Sequence, residues 1–507
     1  MKKIFSAILF LFISILGTTI FPGVAHAGQV LIHNPTNNPI ACQGDGSGAI
    51  VVAPGTTVSL DPNDLPAKSI NWVECERYRV GNLSLTPDTP DRYLSFNGQA
   101  QQTLSVLLYP YLPTTPDANF LPMVERIVNE FQAKNPQILL SAVATLSADY
   151  DTYTYENLPK LLGNDGFDVV ELDTLMLSYL VEHHLIAPAP PEISTSDFWS
   201  VGLAASTYNN TLYGIPSWLC SFFLFARSHE IWNINSVTDL VNYLAQHANP
   251  GPRLITNFND PWNLISFYLD GYADSFGVEQ VPAALNKPIN SQVIGNLLQM
   301  AEECEFNQIN NCVNGYYYQD AYAAIQEFNL AGADSIIGFS EQSFYLILND
   351  PRHLPLFATP TPYGPELSPL VFADTWVLNS STCRTHPCQT AAIAFMQYMN
   401  SVETKLWITF SEDLASDAPP RRSLPPIQAF YKESKVKNDE LYPQFEQVLN
   451  NLEHESANFP NSISEGKKNL MYWKLCQAFQ AAKPNYLECY LAETRRARKM
   501  HRKVLGF

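Results

Sequence analysis

The hydrophobic pattern changes twice along the chain, and each stretch predicts a different kind of structure. Residues 4–15 form a short, uncharged apolar run that follows Lys2-Lys3 and precedes Ala25-His26-Ala27. A basic start, a short apolar centre and a small-residue cleavage site are the three parts of a secretory signal peptide. We therefore predict a signal peptide over residues 1–27 and an exported protein, either periplasmic or secreted.

The remaining chain has a β-rich part and an α/β part. Residues 28–101 contain short strand-like runs between turns, such as "GQVLIHN" and "SINWVECERYRV", and they lack helical periodicity. They predict a small N-terminal β domain. From residue 102, apolar strands alternate with amphipathic helices, the first of which is predicted over residues 119–134. This order predicts mostly parallel sheets with ligands at the carboxyl ends of the strands.

The last part of the chain is predicted to be helical. Residues 391–480 are predicted to be mainly helical, and 481–507 to form a basic helical extension.

The charge of the whole chain narrows the choice of partners. The 507 residues include 30 Lys and Arg against 49 Asp and Glu, and the formal net charge is −19. Such a surface repels nucleic acid and anionic lipid, and it favours neutral or cationic small ligands. No segment after the signal peptide is long and apolar enough to span a bilayer. We expect no nucleic-acid partner and no membrane insertion.

Nine cysteines in an exported chain predict disulfides, because the compartment is oxidising. Neighbours along the sequence suggest four pairs, although the sequence alone leaves the connectivity open. The suggested pairs are Cys42–Cys75, Cys304–Cys312, Cys383–Cys388 and Cys476–Cys489. This pairing leaves Cys220 over. It is either a buried inert side chain, half of an intermolecular disulfide or a reactive thiol.

Three carboxylates lie, like Cys220, at the end of a predicted strand or inside one. Glu341 follows the strand in "IIGFSEQSF", Asp374 lies within "LVFADTWVL", and Asp173 ends "VVELD". A carboxylate in a buried strand is costly unless it is paired or used in a site. Each could instead make a structural hydrogen bond, and Asp173 could cap the helix that follows it. Together with Cys220 they predict a thiol, a base and two acidic anchors in one cleft.

The order of the elements and these motifs resemble known families. Strands and helices that alternate around "YNNTLYGIPSW" resemble a type II periplasmic binding protein, in which two α/β lobes close on a ligand. Five motifs, in order, resemble the bacterial thiaminase I family (thiamine pyridinylases), which has this fold but cleaves thiamine. They are Tyr109-x-Tyr111, "ELDTLML", "GIPSWLCSFFLF", "GFSEQSF" and "FADTW". The resemblance covers about residues 103–480. It implies a two-lobed α/β domain over 102–480, with a ligand cleft, beside the small β domain.

The resemblance implies a transferase that needs no cofactor and no metal. Cys220 would attack the pyrimidine of thiamine and expel the thiazole, with Glu341 as its general base. An amine, a thiol or water would then accept the pyrimidine. The residues that would bind the substrate are Asp173, Asp374, Tyr109, Tyr111 and Tyr322. Phe339 and Phe372 stand where tyrosines are expected in the family, so the substrate preference could have shifted. The partners we expect are thiamine and the nucleophile, bound by a monomer.

Two other functions are compatible with parts of this pattern. An extracytoplasmic solute-binding protein for thiamine or a related small molecule would have the same fold, but it would have no need of a nucleophile. A papain-like thiol hydrolase would need a histidine partner for Cys220. His183, His184 and His229 are available, and none lies in a recognisable setting.

Overall fold

The computed structural model describes most of the chain after the predicted signal peptide. The described residues are 29–486 without 46, 66–67, 77, 81–90, 110–111, 116–119, 145–154, 248–250, 331, 452–459, 462, 464 and 485. The signal peptide, most of the C-terminal extension, Tyr111 and Cys489 therefore lie outside the described residues. The chain divides into two compact units, Met1–Phe96 and Asn97–Phe507. The domain limits given above stay a prediction.

The first unit contains two small sheets. Its strands are β1 (Val30–His33), β2 (Ile40–Gly44), β3 (Ile50–Val52), β4 (Thr57–Leu60), β5 (Val73–Cys75), β6 (Tyr78–Val80) and β7 (Arg92–Ser95). Three strands form one sheet in the order β4-β1-β7, and four form the other in the order β3-β2-β5-β6. Cys42 on β2 and Cys75 on β5 are cross-strand neighbours and form a disulfide. The predicted β structure and this predicted disulfide are confirmed.

The second unit alternates strands and helices. Its strands are β8 (Gln102–Leu108), β9 (Ile138–Ala144), β10 (Val169–Asp173), β11 (Ile186–Ala187), β12 (Thr207–Tyr208), β13 (Thr211–Leu212), β14 (Gly214–Cys220), β15 (Phe222–Ala226), β16 (Leu254–Ile255), β17 (Glu305–Phe306), β18 (Ile309–Asn310), β19 (Ser335–Phe339), β20 (Phe357–Pro360) and β21 (Phe372–Asn379). Short 3-10 helices lie at Thr174–Met176, His229–Asn233, Val278–Gln280 and Gln428–Lys432.

The α-helices of the second unit pack around these strands and dominate its last third. They are α1 (Leu121–Lys134), α2 (Leu158–Leu161), α3 (Leu177–Glu182), α4 (Ser200–Ala205), α5 (Val237–Gln246), α6 (Pro261–Phe276), α7 (Val281–Ala284), α8 (Ser291–Glu302), α9 (Tyr316–Gln319), α10 (Ala321–Leu330), α11 (Gln342–Leu348), α12 (His386–Met399), α13 (Val402–Thr409), α14 (Ser434–Lys437), α15 (Tyr442–Asn451) and α16 (Glu465–Ala482).

Most predicted elements of this unit are confirmed within a few residues. The helix predicted from residue 119 starts at Leu121, and Met123, Val124, Ile127, Val128 and Phe131 are buried on one side of it. The Ser236 hydroxyl accepts a hydrogen bond from the N–H of Asp239 and so caps α5. The helix expected after Asp173 begins with the 3-10 turn Thr174–Met176 and continues as α3.

The two main sheets are mixed, so the expectation of mostly parallel sheets is wrong. The six-stranded sheet has the order β11-β21-β10-β8-β9, with β14 also paired to β21. Only the β10-β8-β9 part is parallel, since β21 runs antiparallel to β10, β11 and β14. The four-stranded sheet has the order β16-β19-β15-β20 and one parallel pair. The antiparallel pairs are those made by β21 in the first sheet and by β15 in the second.

Between β14 and β15 the chain passes from the six-stranded sheet to the four-stranded sheet through one residue, Ser221. β14 ends at Cys220, Ser221 follows, and β15 begins at Phe222. The buried Ser221 hydroxyl donates to the carbonyl oxygen of Leu370 at 3.0 Å, close to the start of β21, where the chain returns. The two sheets therefore meet next to Cys220.

The disulfides fit an oxidising compartment. Cys304–Cys312 and Cys383–Cys388 are formed as predicted. Cys476 is also disulfide-bonded, and its predicted partner Cys489 lies outside the described residues. In the described ranges, no helix has the length and apolar content that a bilayer crossing requires.

Candidate active site

Strand register brings Glu341 to Cys220. Phe222 on β15 pairs with Phe339 on β19 in an antiparallel ladder. Cys220 lies two residues before Phe222, and Glu341 lies two residues after Phe339. Because antiparallel neighbours run in opposite directions, continuing this register places Glu341 opposite Cys220. The Cys220 thiol donates a hydrogen bond to Oε1 of Glu341, with 3.6 Å between sulfur and oxygen. The Ser340 hydroxyl donates to the other oxygen, Oε2, at 3.2 Å.

The two predicted acidic anchors reach the same place on the other sheet. Asp173, the last residue of β10, pairs directly with Asp374 on β21. On its other side β21 pairs with β14, where Trp218 lies opposite Asp374 and Cys220 lies opposite Phe372. The ladder slips between Pro216 and Trp218, as it does at a β-bulge, a device that re-aims side chains. The thiol and all three carboxylates are thus brought together. Cys220, Glu341 and Asp374 are each at least nine-tenths buried.

The surroundings of Cys220, Glu341 and Asp173 disfavour the ionised form of each side chain. Burial raises the pKa of the Cys220 thiol well above its usual value, and the negative charges of Glu341, Asp374 and Asp173 raise it further. Burial also raises the pKa of Glu341 to about 7, against hydrogen bonds from its own backbone and Ser340. The pKa of Asp173 rises to about 6 for the same reason, although the N–H of Leu175 and the charge of Lys468 oppose the rise. A thiol in this setting is protonated at neutral pH, and Glu341 can exchange a proton there.

Asp173 has a structural role as well. Its side chain accepts the N–H of Leu175 at 2.9 Å and caps the 3-10 turn that follows β10. The capping interpretation of the sequence is therefore confirmed for this residue, and it does not conflict with a place in the site, because a carboxylate has two oxygens that accept hydrogen bonds.

Aromatic rings from both sheets lie next to the thiol. Phe222 stacks on Phe339 with 4.4 Å between ring centroids, and Phe372 meets each of them edge-on at 5.6 Å and 5.9 Å. Trp262 of α6 continues the cluster, with its ring 5.4 Å from that of Phe372. Of the two phenylalanines that stand where tyrosines were expected, Phe372 is the strand partner of Cys220, and Phe339 is the strand partner of Phe222. They supply ring surface without a hydroxyl.

Two of the three tyrosines that were predicted to bind the substrate lie in the described residues. Tyr109 follows β8, is half-buried, and its backbone N–H donates to Oε2 of Glu171 at 3.0 Å. Tyr111 lies outside the described residues. Tyr322 on α10 is 47% exposed, and its hydroxyl donates to Oδ1 of Asn349 at 3.0 Å. The substrate-binding role assigned to them stays a prediction.

The histidines do not form a thiolate pair with Cys220 in this structure. His183, His184 and His229 are exposed, whereas Cys220 is buried. Within the described ranges, the hydrogen-bond partner of the thiol is Glu341.

One group of side chains in the described residues has metal-ligand spacing, and its chemistry does not suit a metal. Asp168, Cys383 and Cys388 lie close together, but the two cysteines form a disulfide and offer no thiolate. Oδ2 of Asp168 accepts both the N–H and the hydroxyl of Ser105.

The sequence interpretation missed two charged residues beneath the site, Glu171 and Lys405. Glu171 is as buried as Asp374 and lies in the same apolar strand as Asp173, so the criterion that selected Asp173 could have found it. Lys405 lies in "VETKLWIT", a short helix in which one lysine among apolar and polar residues gave no signal.

Comparison with known proteins shows which proteins this chain is similar to. No family model matches the chain. Thiaminase-1 from Paenibacillus thiaminolyticus is 24% identical over 367 residues, which are 69% of this chain and 81% of that protein. The structure of Clostridium botulinum thiaminase I in complex with thiamin superposes with a TM-score of 0.58 and 19% identity, over 74% of this chain and 100% of that chain. The chain is similar to thiaminase I. This confirms the resemblance predicted from the five motifs.

The same superpositions establish the fold. The maltose-maltodextrin binding protein of Alicyclobacillus acidocaldarius superposes with a TM-score of 0.51 and 14% identity, over 76% of this chain and 97% of that chain. Thiaminase I and sugar-binding proteins thus share one architecture with this protein. The protein has the type II periplasmic-binding-protein fold, as predicted, over about three quarters of the chain.

Proposed function

We propose that this protein is a thiaminase I-like transferase that cleaves thiamine through a covalent intermediate on Cys220. The observation that carries the proposal is the pair formed by a buried free thiol and Glu341, 3.6 Å apart where the two sheets meet. A binding protein has no use for such a pair. The thiaminase I relatives supply the substrate class.

The proposed reaction uses Glu341 as a general base. As the thiol sulfur bonds to an electron-poor carbon of the pyrimidine ring, its proton passes to the Glu341 carboxylate. The bond to the cationic thiazolium nitrogen then breaks, and the thiazole leaves as a neutral molecule with the bonding electrons. A second nucleophile, an amine, a thiol or water, bonds to the carbon that lost the thiazole, and the Cys220 sulfur departs. Asp173 and Asp374 would bind the aminopyrimidine and the positive charge that develops on it.

The same proposal covers location and organisation. Three disulfides in the described residues suit an oxidising compartment. We therefore propose that residues 1–27 direct export, that residues 28–101 form a separate β domain, and that residues 102–480 form the thiamine-cleaving domain of a monomer.

Intact-protein mass spectrometry tests the function. Wild type incubated with thiamine and no added acceptor should gain the mass of the pyrimidine fragment or release it slowly to water, with free thiazole seen by chromatography. Added aniline or pyridine should give the exchanged product. Cys220→Ser should bind thiamine but form neither adduct nor thiazole, because one carboxylate is too weak a base for a serine hydroxyl. If wild type binds thiamine tightly and yields no adduct and no thiazole, the protein is a solute-binding protein.

A further inference from the structure

A buried lysine lies directly beneath the candidate active site, and the reaction proposed above does not use it. Lys405 on α13 is fully buried. Its ammonium donates a hydrogen bond to the carbonyl oxygen of Ser217 at 2.7 Å, and it lies 3.5 Å from the ring centroid of Trp218. Both contacts are on β14, two and three residues before Cys220. A buried ammonium is costly unless opposite charges face it.

The charges of two carboxylates, Glu171 on β10 and Asp374 on β21, act on this ammonium. Asp374 is the strand partner of Trp218, over whose ring the ammonium lies. Burial lowers the pKa of Lys405 to about 7, and the charges of Glu171 and Asp374 oppose that decrease. Burial raises the pKa of Glu171, while Ser217, Lys405 and the N–H of Tyr109 favour its ionised form. Lys405 therefore interacts electrostatically with two acidic residues. Asp374 belongs to the candidate site, and Glu171 accepts the backbone N–H of Tyr109, just after β8.

The position of the cation matters because the site is crowded with negative charge. Asp173, Glu341 and Asp374 all act on the Cys220 thiol. Like charges close together in a buried site suppress each other's ionisation, and a nearby cation offsets this effect. We propose that Lys405 is a positioning residue for thiamine cleavage, whose ammonium keeps Asp374 ionised and in place to receive the aminopyrimidine. Its effect on turnover rests on the proposed function, but its coupling to Asp374 does not.

A purely structural role is the competing explanation. In that case Lys405 would only neutralise Glu171, and removing both charges together would restore wild-type behaviour. A double-mutant cycle separates the two roles without any substrate. We would compare wild type, Lys405→Met, Asp374→Asn and the double variant of the full chain by urea unfolding at pH 6, where the lysine is charged.

The proposal predicts favourable coupling between Lys405 and Asp374 of about tenfold in the unfolding constant at pH 6, shrinking towards pH 9 as the lysine loses its proton. Coupling below about twofold at pH 6 would overturn it. Lys134→Met is the matched control, because Lys134 also lies over an aromatic ring and pairs with Glu403 of α13, but it is exposed. It should show no coupling to Asp374.

Turnover gives the second readout. Lys405→Met combined with Glu171→Gln removes the ammonium together with the Glu171 carboxylate, so Glu171 is no longer a buried charge without a cation, while Asp374 has still lost its cation. The KM for thiamine should therefore rise by about threefold or more on going from pH 7.5 to pH 5.5 relative to wild type, with Glu171→Gln alone close to wild type. A double variant with the wild-type pH profile would show that Lys405 serves only Glu171. If wild type itself neither binds nor cleaves thiamine, the proposed function fails, and the unfolding cycle still decides the role of Lys405.

Discussion

At the residue scale, the main feature is a nucleophile whose surroundings oppose its own ionisation. Many reactive cysteines lie in electropositive settings that lower the thiol pKa. Cys220 lies among carboxylates, and its pKa is raised. The thiol must therefore lose its proton during attack rather than before it, and Glu341 is the group placed to take it. The same negative surroundings suit a substrate that carries a cationic thiazolium into the site.

The first prediction concerns this proton transfer. A base acts only when ionised, and the pKa of Glu341 is raised to about 7, so kcat/KM of wild type should fall about tenfold per pH unit below that value. Glu341→Gln should lower turnover by roughly a hundredfold or more and remove this acidic limb, while thiamine still binds. Glu303→Gln is a suitable control, because Glu303 is a buried glutamate that pairs with Arg253 away from the site. An Glu341→Gln variant with wild-type turnover would show that the proton goes elsewhere.

At the scale of elements, hydrophobic periodicity predicted the strands and helices, whereas the register between paired strands determines which site residues lie together. The strand "SFFLFARS" and the helices at 237–246 and 261–276 follow from local pattern alone. The antiparallel path of β14, β15 and β21 did not, because pairing direction depends on which strands meet in space. Glu171 was missed although it lies in the same buried strand as Asp173, and Lys405 was missed because a single lysine in a short helix gives no sign that it is buried.

The second prediction concerns a loop that borders the site. The buried Arg421 guanidinium donates to the carbonyl oxygens of Pro113 and Ile408 and pairs with the buried carboxylate of Asp413. It thereby ties the segment after β8, which follows Tyr109, to the end of α13. Arg421→Met leaves Asp413 buried without its partner, and should lower the free energy of unfolding by about 3–5 kcal/mol in urea denaturation.

Lys483→Met is the comparison for that experiment. Lys483, just after α16, pairs with Glu302 of α8, and both side chains are about half exposed. Its removal should cost only a small fraction of the loss expected for Arg421→Met, because solvent screens an exposed ion pair. Equal losses for the two variants would mean that the buried pair contributes no more than a surface one.

At the scale of the whole molecule, the chemistry and the first unit are separate in the chain. All described residues of the candidate site lie between Tyr109 and Lys405, within the unit Asn97–Phe507. The first unit has its own pair of sheets, a disulfide and buried side chains such as Val30, Ile32 and Leu94. About three quarters of this chain superposes on nearly the full length of each thiaminase I structure. The fold of those proteins is therefore complete without a further domain.

The last prediction follows from that separation. A variant in which residues 28–96 are deleted, so that Asn97 follows the signal peptide, should fold and cleave thiamine with kcat/KM within about twofold of the full chain, because its hydrophobic core and its candidate site are both internal to the second unit. Circular dichroism and thermal unfolding would first establish that the shortened protein is folded. Thiazole release would then be compared at equal concentration, with and without separately produced residues 28–96. A folded but inactive variant, or one that regains activity when the separate unit is added, would show that the β domain takes part in the reaction. Unchanged activity would direct the search for its role towards binding outside the catalytic step.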